Sequence, residues 1–74
     1  MELKKSSLYA DALANLYRSA FYLARGAGKT GLVFFKKAQR EIGLTSIGQI
    51  KTRRQQLYWA EKILDEYHRL KLIG

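Results

Sequence analysis

Apolar side chains recur at intervals of three and four residues over the first third of the chain. They are Tyr9, Leu13, Leu16, Ala20 and Leu23. This spacing predicts an amphipathic helix over about residues 7–25, capped by Ser6 or Ser7. Polar side chains line only a narrow opposite stripe, and much of the remaining helix surface is alanine or aromatic. We therefore expect the five-residue seam to form an interface, and the alanines to admit a helix from a second copy of the chain.

A second helix is predicted after a glycine-rich turn. Gly26 and Gly28 occupy positions typical of a helix end and a turn. Thr30 can then cap a helix over about residues 31–42. Its apolar face is Leu32, Phe35, Ala38 and Ile42, and its basic side carries Lys36, Lys37 and Arg40. The run 32–35 also has high β-propensity, but no other segment offers such a strand a partner, so a helix is favoured.

The last third of the chain carries the longest helical pattern. Gly43 is expected to end the second helix, and Ser46 and Gln49 have the S-x-x-Q spacing of a capping box. A third helix over about residues 47–72 would be roughly 39 Å long, against roughly 27 Å for the first. Either it breaks near residues 48–54 or its surplus length packs on another chain, and we favour the second. Its predicted inward positions are Ile47, Ile50, Leu57, Ala60, Ile63, Leu64, Tyr67 and Leu70.

These elements predict an all-α fold with a single domain over residues 1–74. The expected architecture is a three-helix, antiparallel, bundle-like domain with a long C-terminal helix that dimerises. A chain of 74 residues without cysteine has no disulfide to stabilise it and buries only about 60% of its unfolded surface. A dimer would add the burial that a lone monomer lacks.

Positive charge is concentrated in the middle of the chain. The chain holds 14 Lys and Arg against 6 Asp and Glu, a net charge of +8. Residues 26–54 hold seven of these bases and one acid, Glu41, and so carry +6 of the total. This excess favours a polyanionic partner such as nucleic acid, although basic charge also keeps small proteins soluble. The residues predicted to bind nucleic acid are Lys29, Lys36, Lys37, Arg40, Gln49, Lys51, Arg53 and Arg54.

Residues 40–54 have the order of a helix-turn-helix: a helix, a turn containing glycine and a polar, basic second helix. The spacing from Ala38 to Gly43 is longer than is usual for that motif. In it, Ser46, Gln49, Thr52 and Arg53 would face base edges, with Lys51 and Arg54 nearer phosphates.

A basic patch does not require that geometry. A short turn would make the second and third helices antiparallel or steeply crossed neighbours, so that their basic faces merge beside Gln55 and Tyr58. The merged faces would be Lys36 and Arg40 with Lys51 and Arg54. Such a patch would bind phosphate backbone with little sequence preference, and Tyr58 could stack a base.

Other motifs offer little chemistry. Residues 26–31, GAGKTG, lack the first glycine of a phosphate-binding loop, because Leu23 stands there, and they follow a helix rather than a strand. A turn and a helix cap are expected, with free amides that hold at most one phosphate. Glu61, Asp65 and His68 share a helical face, but other helices supply too few ligands for a metal site. With one histidine and no cysteine, no enzyme, cofactor or small-molecule substrate is expected.

No secretory signal or membrane span is expected, since no uncharged run approaches the ~18 residues that a span needs. The predicted location is therefore the cytoplasm. The favoured function is binding of DNA or RNA through phosphates. The alternatives are a protein-interaction module, such as an inhibitor or accessory subunit docking on an acidic or helical partner, and a cationic membrane-active peptide.

Overall fold

The computed structural model describes the backbone of residues 2–44 and 47–73 and the side chains of residues 9–44 and 47–72. Its helices are α1 (Glu2–Ala24), α2 (Gly28–Ile42) and α3 (Arg53–Ile73). No strand occurs within these ranges, and the run 32–35 is helical. The predicted all-α, three-helix fold is confirmed.

α1 and α2 form an antiparallel hairpin closed by a tight turn. Gly26 has a φ of +86°, a left-handed conformation that ends α1 and that residues with a Cβ rarely adopt. Across the hairpin, the buried Ser19 hydroxyl donates a hydrogen bond of 2.7 Å to the Gly31 carbonyl. Farther from the turn, the Asn15 amide donates to the Glu41 carboxylate at 3.1 Å. Late residues of α1 thus meet early residues of α2, as an antiparallel arrangement requires.

α3 also runs antiparallel to α1. At the start of α3, the Arg53 guanidinium donates to the carbonyl of Leu23, near the end of α1. At the other end, the Tyr9 hydroxyl donates to the carbonyl of Leu70. Because α2 and α3 are both antiparallel to α1, they are parallel to each other. The chain must therefore return along the bundle between them.

Residues 43–52 make this return and are called the connector here; they are not helical at 43–44 and 47–52. Gly43 ends α2 with a φ of +67°, as predicted, and its N–H donates to the Gln39 carbonyl. The far end of the connector brings Ile50 against Gly28, the first residue of α2. Ten extended residues span at most roughly 33–36 Å, whereas α2 is roughly 22 Å long, so the connector can cover the distance.

The predicted start of the third helix is wrong, because α3 begins at Arg53 and not near Ile47. The capping box is formed by Thr52 and Gln55, each of which accepts a hydrogen bond from the other's backbone N–H through its side chain. Ser46, the predicted cap, lies outside the described residues. The cause is tertiary: Ile47 and Ile50 pack against the core from the connector.

The other helix starts differ from prediction as well. α1 begins at Glu2, so Ser6 and Ser7 lie within it. α2 has Ala27 as its N-cap, so Thr30 lies in its first turn. α1 and α3 have 23 and 21 residues, or roughly 35 and 32 Å. The surplus length that favoured a dimer does not exist.

One apolar core lies between the three helices. Its buried members are Leu16, Ala20, Leu23, Phe35, Ala38, Ala60 and Ile63. Three residues of the predicted interface seam, Leu16, Ala20 and Leu23, are therefore inside the chain, and Tyr9 and Leu13 are half-buried beside them. Most of the seam packs against the chain's own helices, so a second copy would have to make most of its contacts with other residues. Leu57, predicted to face inward, is 42% exposed.

Candidate nucleic-acid interface

Four segments converge at one end of the bundle: the end of α1, the start of α2, the last residues of the connector and the start of α3. Arg53 marks the junction, because its guanidinium lies against Gly26 and donates to the Leu23 carbonyl at 3.5 Å. Gly28 lies against Gln56 of α3. The exposed basic side chains on these segments, together called the basic end, are Arg25, Lys29, Lys51, Arg53 and Arg54.

The basic end has no carboxylate among its segments. The sequence contains no Asp or Glu in residues 12–40 or 42–60, which include all four converging segments. Among the described residues, none of the five basic side chains forms a salt bridge. Five basic side chains thus extend from converging segments that carry no carboxylate, and a bound polyanion would stabilise this arrangement. One of them, Arg25, has its guanidinium 5.0 Å from the centre of the Phe21 ring.

The capping box of α3 fixes the backbone from which three of these side chains extend. The Gln55 carboxamide oxygen accepts from the N–H groups of Lys51 and Thr52 at 2.9 and 3.0 Å. In return, the Thr52 hydroxyl accepts from the Gln55 N–H at 3.1 Å. The last turn of the connector and the first turn of α3 are therefore joined, which holds Lys51, Arg53 and Arg54 in a fixed relation.

Helix dipoles add to the positive potential at this end. Because α2 and α3 are parallel, their N-termini lie at the same end of the bundle, and neither has an acidic residue in its first turn. The N-cap of α2 is Ala27, which provides no side-chain cap. Only α1 presents its negative end here, and Arg53 offsets part of it by binding the Leu23 carbonyl.

A basic stripe continues from this end along α2. Lys29, Lys36 and Arg40 are separated by seven and four residues, so they lie along one side of the helix, and all three are exposed. At the far end of α2, the Gln39 side chain donates to the carbonyl of Leu44, at the start of the connector. Gln49 is exposed on the connector. The structure thus places Lys36 and Arg40 on a basic stripe that begins at the basic end.

Lys37 lies beside the basic stripe, on the side nearer to α1. Its ammonium lies 5.5 Å from the centre of the Phe34 ring, and that ring stacks on Tyr22 of α1 at 5.6 Å. Arg18 of α1 approaches the same ring at 5.9 Å. Lys37 is exposed and is three residues from both Phe34 and Arg40, so it lies between the Phe34 side of α2 and the basic stripe.

The helix-turn-helix prediction is wrong in its geometry. That motif joins two steeply crossed helices by a turn of about 3–4 residues, whereas ten residues separate α2 from α3. The two helices are also parallel. Gln49 and Lys51 lie on the connector and not on a recognition helix. The connector returns to the start of α2, so Lys51 and Arg54 lie at the same end of the bundle as Lys29, whereas Lys36 and Arg40 lie farther along α2.

Two components of this surface were not predicted from the sequence. Arg25 joins the basic end because the tight turn places the end of α1 beside the start of α2; its position directly before GAGK was the available signal. Lys62 extends a ridge on α3, where Arg54, Tyr58 and Lys62 follow one another at four-residue spacing. The Lys62 ammonium lies 5.5 Å from the centre of the Tyr58 ring, which is 51% exposed.

A second surface of different character lies between α1 and α3, on the side away from α2. It is an apolar groove of about 270 Å³ lined by Tyr17, Ala20, Phe21, Ala24, Leu57, Ala60, Glu61 and Leu64. Tyr17, Phe21 and Leu57 are 51, 44 and 42% exposed. Bulky exposed side chains thus flank a floor of alanines. We call this surface the α1–α3 groove.

Little in the described chain points to other chemistry. No three His, Cys, Asp or Glu side chains within residues 9–44 and 47–72 lie close enough together to hold a metal ion. On the acidic side of α3, Glu66 pairs with Arg69. The GAGKTG segment leads directly from α1 into α2, without a strand. No helix in the described ranges combines the length and apolar character needed to span a membrane.

Comparison of the chain with protein-family models, curated proteins and solved structures found no match.

Proposed function

We propose that this chain binds DNA or RNA through the phosphate backbone, with the basic end as its principal contact. The observation that carries the proposal is the convergence of Arg25, Lys29, Lys51, Arg53 and Arg54 without a single acid among their segments. Ionised bases that already pair with carboxylates gain little from a phosphate. These five are exposed and have no such partner among the described residues, so each can contact a phosphate directly.

The extent of the surface also suits a long polyanion. From Lys29 to Arg40 the stripe on α2 is roughly 16 Å long at 1.5 Å per residue. A duplex carries one charge per roughly 1.7 Å of its axis and a single strand one per roughly 3.4 Å. A backbone following the stripe would therefore place several phosphates within reach of it. Binding of this kind has little sequence preference and weakens steeply with salt.

The test is fluorescence anisotropy with labelled single- and double-stranded DNA and RNA, from ~50 to ~300 mM salt. The basic-end variant combines Lys51→Ala and Arg54→Ala. Its control combines Lys37→Ala and Lys71→Ala, which lowers the net charge equally but changes residues outside the basic end. We expect the basic-end variant to bind at least about tenfold more weakly, with a salt slope smaller by about two, and the control to change far less.

Two results would count against the proposal. Absence of binding by the unmodified chain at low salt would reject nucleic acid as the partner. Equal weakening by the two variants would show that net charge alone matters, so that the basic end would have no special role.

We also propose that the α1–α3 groove is a contact between two copies of the chain. The exposed Tyr17 and Phe21 stand beside a floor formed by Ala20, Ala24 and Ala60. In a twofold arrangement, the Tyr17 and Phe21 side chains of each copy can enter the groove of the other copy. This is the self-complementarity that an isologous dimer needs. Exposed aromatics of this size otherwise remain in water at a cost in free energy.

Sedimentation equilibrium measures this association directly. Phe21→Asp should yield a monomer, because it places a charge in the apolar contact. Val33→Asp is the matched control, since Val33 is 52% exposed on α2, away from the groove. A monomeric unmodified chain at the highest soluble concentration would reject the dimer and leave the groove for a helix of another protein.

A further inference from the structure

We propose that Tyr58 is a stacking platform for an unpaired base, so that the nucleic acid bound at the basic end is single-stranded. This inference rests on the proposed function and extends it to the class of nucleic acid. Its starting point is the ridge of Arg54, Tyr58 and Lys62, in which the aromatic side chain lies one helical turn from each of two cations. One turn is roughly 5.4 Å along the helix.

The Tyr58 ring is held in place by its neighbours yet remains half exposed. Trp59 lies edge-on to it, with ring centres 5.2 Å apart and planes at 86°. Trp59 is itself covered by the connector, because a Cβ on Gly48 would lie 3.1 Å from the indole ring. Trp59 therefore restricts the movement of the Tyr58 ring on one side, while 51% of Tyr58 stays accessible.

The surroundings of the ring suit a flat apolar ligand with a charged backbone. Tyr58 and Trp59 form part of a groove of about 380 Å³, together with Ile47, Ile63 and Glu66. The Glu66 carboxylate is already paired with Arg69. A base stacked on Tyr58 would meet further apolar surface there. The Lys62 ammonium lies over one face of the ring, 5.5 Å from its centre. A base that stacks on that face would displace it, and the ammonium would then pair with the adjoining phosphate. Aromatic side chains among cations form the usual surface for single strands.

A duplex cannot use this arrangement. Its bases are stacked on one another, so a protein reaches only their edges in the grooves. An exposed ring face gains nothing from those edges, whereas every unpaired base offers a face. Single-stranded DNA and RNA share this feature, and comparison of the two strands measures any preference between them.

The test compares three ligands of about 12 nucleotides: a single strand, the matched duplex, and an abasic strand with the same number of phosphates. The variants are Tyr58→Leu, which removes the ring but keeps an apolar side chain, and Tyr58→Phe, which keeps the ring. We expect Tyr58→Leu to weaken single-strand binding about 5- to 100-fold and to leave abasic-strand binding unchanged. Tyr58→Phe should bind as the unmodified chain does.

Trp59, the sole tryptophan of the chain, gives an independent signal. A base stacked on Tyr58 lies close to the indole and should quench its fluorescence, and the abasic strand should not. Circular dichroism of Tyr58→Leu should match the unmodified chain, because the side chain is half exposed.

The outcomes separate this inference from the proposed function. If all three ligands bind equally and with strong salt dependence, or if Tyr58→Leu binds the single strand normally, the platform is rejected and phosphate binding stands. If none of the three ligands binds, both proposals fail. A single strand preferred over the abasic strand, with the preference lost in Tyr58→Leu, supports both.

Discussion

The hydroxyl of Ser19 donates a hydrogen bond of 2.7 Å to the backbone carbonyl of Gly31, across the contact between α1 and α2. Both residues are buried. A Cβ at residue 31 would lie 2.8 Å from the Cγ of Leu23 and 3.1 Å from the carbonyl oxygen of Ser19. The two backbones approach this closely only because residue 31 has no side chain.

Gly31→Ala is expected to destabilise the fold, although alanine is the better helix former. The gain in helix propensity is about 1 kcal/mol, whereas forcing a methyl group into a packed contact costs roughly 1–3 kcal/mol. We expect a net loss of about 1 kcal/mol and a melting temperature roughly 4–8 °C lower, measured by circular dichroism. Gly28→Ala is the control, because the nearest neighbours of its methyl would be side-chain atoms of Gln56 and Ile50 and not backbone. A Gly31→Ala variant that melts at or above the unmodified chain would contradict the close contact.

Gly43 is required for a different reason. Its φ is +67°, and nothing lies within 4 Å of the position of its Cβ, so a side chain there meets no neighbour. Gly43→Ala should therefore lose only about 1 kcal/mol, from backbone strain alone. Gly43→Asn should lose less, because asparagine tolerates the left-handed conformation. Equal loss of stability in urea unfolding for the two variants would show that the cause is not backbone strain.

Thr52 is expected to determine where α3 begins. Its hydroxyl accepts the Gln55 N–H at 3.1 Å, and loss of a threonine N-cap typically costs about 1 kcal/mol. Thr52→Ala should lower the unfolding free energy by that amount, and Thr52→Ser should retain it. Ser46→Ala serves as a further comparison, because S-x-x-Q at residues 46–49 was the alternative start. A larger loss for Ser46→Ala than for Thr52→Ala would contradict the observed helix boundary.

That boundary shows what the sequence could and could not decide. Residues 46–49 and 52–55 both have the spacing of a capping box, so local pattern does not choose between them. On a helical wheel, Ile47 and Ile50 share one face, so their pattern also fits a helix that begins near residue 47. The choice depends on tertiary packing, because the isoleucines of the connector contact the core. Helix number and the αL glycine at residue 43 depend on local chemistry, and these were predictable.

The candidate interface divides in the same way. The concentration of positive charge in residues 26–54 can be read directly from the sequence. Which cations share a surface depends on packing: the stack of Phe34 on Tyr22 fixes the side of α2 that carries Lys37. Arg25 joins the basic end only through the hairpin turn. The sequence therefore locates the positive charge along the chain, but it does not show which of the basic side chains share a surface.

Arg53 and Arg54 are adjacent, both are exposed and both belong to the basic end, yet they should respond differently to substitution. The Arg53 guanidinium lies against Gly26 and donates to the Leu23 carbonyl at 3.5 Å, whereas among the described residues the Arg54 side chain makes no hydrogen bond or salt bridge. A cation at a helix C-terminus is worth about 0.3–1 kcal/mol at an exposed site. Arg53→Ala should therefore lower the melting temperature by roughly 2–6 °C, and Arg54→Ala should leave it unchanged.

In anisotropy titrations each variant should reduce the salt slope by about one, if each arginine contacts one phosphate. Equal melting temperatures would show that Arg53 does not stabilise the end of α1, and an unchanged slope for Arg54→Ala would remove Arg54 from the nucleic-acid contact.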